Sequence, residues 1–167
     1  DSTGLKYLVF VSDAGDAIVR TFDSLRGCAG RTSQTMLCCR LTLGTIEIET
    51  ISETATPAAI QAWSSAGAAT VMGQTHHRDR NETILLVNDN NGPQVLLLDA
   101  TDSFTVLPSP AHEPDGSIWL DRHGDLRVIS QDVLAGTTYV ERFDRIQGTW
   151  EILAGPFTGI GFGVILD

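Results

Sequence analysis

Short apolar runs recur along this chain, each closed by a turn built from Gly, Asp, Asn or Pro. Lys6-Tyr-Leu-Val-Phe-Val-Ser12 is rich in aromatic and β-branched residues and ends at Asp13-Ala-Gly-Asp16, which predicts a strand. Ala17-Ile-Val-Arg-Thr-Phe-Asp23 reads two ways. As the second strand of a hairpin it sets Ile18 and Phe22 on one face. As a helix behind a Ser12 or Asp13 cap it carries the stripe Ile18, Val19, Phe22 and Leu25. The turn chemistry favours the hairpin. Arg26 to Ser33 reads as a polar loop, and 35–43 and 45–51 as strands on either side of Gly44. One short helix is predicted next, with Thr56 as N-cap, Pro57 at its first position and Ala58-Ala-Ile-Gln-Ala-Trp63 as its body before Gly67.

From Ala69 onward the pattern is strands alone. They fall at 69–74, 82–88, 94–99 and 103–107, and then at 117–120, 125–130, 137–143 and 149–153. The turns between them are Asp89-Asn-Asn-Gly-Pro93, Pro114-Asp-Gly116, Arg122-His-Gly124 and Ala135-Gly136. The two sets of four repeat one another. Leu97-Leu98-Asp99, a turn and Phe104-Thr-Val-Leu107 ending at Pro110 match Arg142-Phe143-Asp144, a turn and Trp150-Glu-Ile-Leu153 ending at Pro156. Phe104 to Trp150, Leu107 to Leu153 and Pro110 to Pro156 are each 46 residues apart. A period of that size in strand-rich sequence marks a repeat architecture. A last strand is expected over 159–166, where glycines alternate with Ile160, Phe162 and Val164; such a strand suits completion of a sheet begun at the other terminus.

The Asp, turn, aromatic and Val/Ile-Leu pattern resembles a kelch-type propeller blade, without the double glycine of that family. Asp115-Gly-Ser-Ile-Trp119 followed by His123-Gly-Asp-Leu126 resembles the blades of ligand-sensing propellers. The resemblance covers residues 69–156. It implies a mainly β fold of antiparallel four-stranded meanders like propeller blades, carrying one short helix. The alternative is α+β. If residues 14–26 are helical, 6–74 reads β-α-β-β-α-β, a ferredoxin-like N-terminal half followed by a small β-domain. The organisation is thus a strand-rich segment 1–68 with the short helix and blade-like repeats over 69–167, which also fit one continuous domain. About three blades fit in 167 residues, whereas propellers use roughly four to eight, so self-association is expected.

Charge removes one class of partner. The formal net charge is −10, which opposes nucleic-acid binding. No apolar run approaches the length of a membrane span, and no signal peptide is visible at Asp1-Ser-Thr-Gly-Leu5, although a leader removed before Asp1 would leave the same start. Ten arginines stand against one lysine, Lys6, either for bidentate contacts or from codon bias. Cys28, Cys38 and Cys39 are expected as buried thiols, with a Cys28–Cys38 or Cys28–Cys39 bridge as the alternative. A soluble protein of a reducing compartment, or of a virion, is the favoured location. Asn81-Glu-Thr83 matches a glycosylation sequon, relevant to a secreted chain.

Candidate chemistry is sparse. His76, His77 and Asp79 lie in the densest polar cluster and are the metal candidates; adjacent histidines seldom ligate one ion well. His112, Asp121 and His123, with Trp119 as a stacking platform, are the ligand-binding candidates. There is no Gly-x-Ser-x-Gly elbow, Walker loop, CxxC or HExxH. Gly159-x-Gly-x-Gly163 leads into no helix, so no cofactor is expected. The function expected is that of a non-catalytic assembly or binding module acting as an oligomer, a structural subunit of a larger particle such as a virion or tail component. The alternatives are a carbohydrate- or protein-binding propeller-like module, with a glycan as partner, and a metal-dependent hydrolase using the histidine loops.

Overall fold

In a computed structural model the described residues are 6–11, 15, 17–22, 25–31, 35–42, 44–52 and 54–158, and they form fourteen strands with no helix among them. β1 (Lys6–Val11) and β2 (Ala17–Phe22) make an antiparallel hairpin with Val9 opposite Val19. Three four-stranded sheets follow in chain order. They are β3 (Leu25–Gly30), β4 (Thr35–Thr42), β5 (Thr45–Ser52) and β6 (Ala58–Ser64); β7 (Thr70–His77), β8 (Glu82–Asp89), β9 (Gly92–Leu98) and β10 (Phe104–Leu107); and β11 (Glu113–Leu120), β12 (Leu126–Asp132), β13 (Thr137–Asp144) and β14 (Thr149–Thr158). Each is an antiparallel meander, so the fold is mainly β and built of propeller-like blades. The strand expected over 159–166 lies outside the described residues.

Five expectations need correction. The short helix at 58–63 is β6, paired with β5 from Thr50–Ala58 to Thr45–Ser64. A bulge between Ile48 and Glu49 turns Ile60 to the side already occupied by Trp63, and both pack on the same core. The resulting i, i+3 spacing imitates a helical stripe. The helix that a ferredoxin-like N-terminal half would need is also absent, because residues 17–22 pair with β1 along their length. Part of the loop at 26–33 is β3, whose Gly-Cys-Ala-Gly run hides a strand in small residues. Pro114-Asp-Gly116 is no turn; it is an irregularity within β11, between the paired positions Pro114 and Ile118. The cysteines differ as well. Cys28 and Cys38 are cross-strand neighbours joined by a disulfide, while Cys39 is free and buried.

The core is a series of sheet-on-sheet contacts. Leu8 and Phe22 of the hairpin pack on Leu25, Cys38 and Ile51 of the first sheet. From its other face that sheet sends Leu37, Cys39, Ile46 and Ile48 against Leu85, Val87, Leu96 and Leu98 of the second. The second then sends Ile84, Leu86 and Val95 against Ile118, Leu126 and Phe143 of the third. β8 is buried on both faces, which is why Ile84-Leu-Leu-Val87 is an unbroken apolar run rather than an alternating one.

The first strand of each sheet faces its neighbour's, with β7 lying between β3 and β11. At the closest point a Cβ on Gly73 would fall 2.4 Å from the Gly116 carbonyl oxygen, so only glycine lets these backbones meet. The sheets therefore fan from their first strands, and their connections sort to two ends. One end carries the β8–β9 and β12–β13 turns and the linkers between sheets. The other carries the β7–β8, β9–β10, β11–β12 and β13–β14 turns.

Candidate functional site

At the linker end, two clefts occur one sheet apart. The first lies beside linker 65–69 and is lined by Gly44, Thr45, Ser64, Ser65, Gly67 and Ala68. The second lies beside linker 108–112 and is lined by Asn91, Pro93, Ser109, Pro110, His112, Glu113 and Pro114. The first linker is held from an exposed turn, where Asp89 accepts the Ala66 N–H at 2.8 Å.

The second linker is held from within. Glu141 on β13 is fully buried and accepts the backbone N–H groups of Ala111 at 2.8 Å and His112 at 3.1 Å. The Ser130 hydroxyl donates to the same carboxylate. The His112 ring completes the set, with Nδ1 3.0 Å from Glu141 Oε1. A carboxylate accepts here, so Nδ1 carries the proton and Nε2 is directed away from Glu141. Tyr139, two residues before Glu141 on the same face of β13, stacks on the imidazole with centroids 4.0 Å apart and planes within 6°. The ring is thus fixed by a hydrogen bond at its edge and a stack on its face, at the wall of the cleft. Sequence reasoning missed Glu141 and Tyr139, yet a signal was there: Tyr139, Glu141 and Phe143 alternate along one strand, so an acid occupies a core-facing position.

The opposite end is a web of arginines. Arg31 reaches Asn81 and Asp102 at 3.0 Å each, Arg145 makes a two-point contact with Glu82 at 3.1 and 2.8 Å, and Arg80 reaches the His123 carbonyl at 2.9 Å. Arginine is the residue for such forked contacts between sheets. Here lie most of the other candidates. His76 and His77 end β7 and, as neighbours on a strand, face opposite sides. His76 Nδ1 sits 2.8 Å from the Thr83 hydroxyl and its Nε2 is buried without a partner. Burial, and then the charges of Arg31 and Arg78, hold its pKa below the usual histidine value. His77 Nδ1 accepts the Arg80 N–H, and Asp79 is on the exposed tip of the turn.

Asp121 is a structural cap. It accepts the N–H groups of His123 and Asp125 at 2.9 Å each and pairs with Arg127 at 2.7 Å. Burial alone would raise its pKa, but those donors and the Arg127 charge leave it below the usual aspartate value. His123 Nε2 accepts from Arg122. Trp119 lies on the face of β11 opposite Ile118 and Leu120, across from Arg127. The eight residues of β11, spanning about 25 Å, separate His112 from Asp121 and His123, so the ligand-binding candidates do not meet. His123 instead meets the His77–Arg80 turn through Arg80. Among the described residues no three His, Cys, Asp or Glu side chains converge as a metal set, and no helix is long and apolar enough to cross a membrane.

No family model matches the chain, kelch or otherwise, and no curated protein matches it. Among solved structures it is similar to a protein from Lactobacillus plantarum determined by a structural genomics consortium, with a TM-score of 0.62 over 93% of this chain and 50% of that one. At 14% identity the likeness is one of fold. The chain spans half the length of that protein.

Proposed function

We propose that the chain is an arc of a propeller-type ring, a non-catalytic assembly and binding module whose ring is completed by a second copy. One observation carries the reading. The hairpin β1–β2 packs one face on the first sheet, while its other face presents Val9, Val11 and Val19 with 53%, 66% and 59% of their surface exposed. A contiguous β-branched face of this kind is where another sheet belongs. The series of sheet-on-sheet contacts continues naturally across it. The outward face of β11–β14, with Trp119, Arg127 and Arg142, is the surface a second copy would bring to it. A second copy would supply as much chain again, and the similar Lactobacillus plantarum fold is about twice as long as this chain. Self-association of this type is also what a structural subunit of a larger particle requires.

Sedimentation equilibrium of the 167-residue chain beside a Val9→Lys/Val19→Lys variant tests the reading. The parent chain is expected to sediment at twice 18.0 kDa. The variant, whose inward-facing Leu8 and Phe22 are untouched, is expected to be a folded monomer. A monomeric parent, or a variant that remains dimeric, overturns it.

A further inference from the structure

The two linkers give a comparison within one molecule. Residues 65–69 and 108–112 are the same length and enter the first strands of successive sheets. The last position of the first linker is Ala69, a small residue buried in the core between sheets. The last position of the second is His112. Turning the chain from one sheet to the next therefore asks for no imidazole, and anchoring a linker asks for no buried acid, since Asp89 does it from an exposed turn. Glu141, Tyr139 and Ser130 together fix a ring that the scaffold does without one sheet earlier.

The geometry points to His112 as the anchoring group of a ligand site in the cleft beside linker 108–112, for a neutral hydroxyl-bearing small molecule of the sugar or polyol class. Its Nδ1 is spent on Glu141, which leaves Nε2 as the hydrogen-bonding atom. Asn91 and Ser109 add an amide and a hydroxyl, and Pro93, half-buried beside the buried Pro110 and Pro114, adds aliphatic surface for the carbon face of a sugar ring. The cleft measures about 410 Å³, within the range of small-molecule sites. Neutrality follows from charge. Glu113 at the rim and a formal net charge of −10 repel anions, and no acidic cluster gathers here to draw a cation. The site stands independently of ring closure.

The experiment is an NMR titration of the His112 ring and the Asn91 side-chain amide with D-glucose, D-galactose, D-mannose and N-acetylglucosamine, each carried past about 1 mM, the weak end of useful affinity. Inorganic phosphate serves as the anionic control. At least one sugar is expected to shift both sets of resonances. His112→Ala, which places at this position the residue found in the other linker, and Asn91→Ala, on the exposed turn, are each expected to abolish the response. No shift with any of the four sugars, a shift that survives Asn91→Ala, or a shift by phosphate alone overturns the assignment. If His112→Ala does not fold, the Asn91→Ala titration decides.

Discussion

Asp99 and Asp144 do the same work 45 positions apart. Asp99 follows and Asp144 ends the third strand of its sheet, and each accepts two backbone N–H groups of the following turn, from Thr101 and Ser103 at 2.8 and 3.0 Å and from Ile146 and Gln147 at 2.8 and 3.0 Å. Bonds to the charged form hold both carboxyls below the usual aspartate range. The Thr101 hydroxyl leads for Asp99, and the Gln147 N–H for Asp144. Asp89 is lowered in the same direction, chiefly by the Ala66 N–H. A carboxyl whose folded pKa is depressed stabilises fully above its unfolded pKa, and that stabilisation is lost as pH falls through the folded value. The urea midpoint of the parent chain should therefore drop between about pH 5 and about pH 3. In Asp99→Asn/Asp144→Asn the drop should be smaller, since asparagine keeps an acceptor but no longer titrates. An equal drop in both proteins would remove these two residues from the account.

At the scale of elements, the strands that could be read from sequence are those where side-chain alternation or turn chemistry speaks clearly. Ile46, Ile48 and Thr50 against Glu47 and Glu49 in β5, and the turns around Gly92, Gly124 and Gly136, belong to this class. What misled was local geometry that sequence does not display. The bulge in β5–β6 put Ile60 and Trp63 on one side, and β3 pairs as a strand although its Gly27-Cys-Ala-Gly30 run lacks strong strand formers. The candidate site was half visible: His112 stood out as a polar residue in a loop, but its partners sit 27 and 29 residues away on β13 and became neighbours only through the meander. The disulfide gives β3 a test of its own. It closes a separation of 10 residues, so its reduction should cost about 2–3 kcal/mol in denaturant unfolding by loop-closure entropy. Burial pushes the Cys39 thiol up to about 12, so in the folded protein it should ignore thiol reagents near neutral pH and react only after unfolding. A reduced protein as stable as the oxidised one would show that the bridge adds nothing to the β3–β4 pair.

At the scale of the described chain, the sheets stack through their cores, and the hairpin face that carries Val9, Val11 and Val19 is exposed. The 46-residue repeat was enough to predict blades, and the blade count predicted the need for more of them. No residue in the sequence says which surface would close the proposed ring, because Val9, Val11 and Val19 look like any strand until the hairpin is seen covered on one side only. Two copies each with a formal net charge of −10 also repel, so contact between them is best measured at about 0.15 M salt, where fields beyond about 8 Å are screened. Small-angle X-ray scattering of the 167-residue chain in that buffer tests ring completion most directly. Two arcs closed on one another predict a forward-scattering mass of twice 18.0 kDa and a radius of gyration of about 20 Å, and a mass of 18.0 kDa with a radius near 15 Å would contradict it.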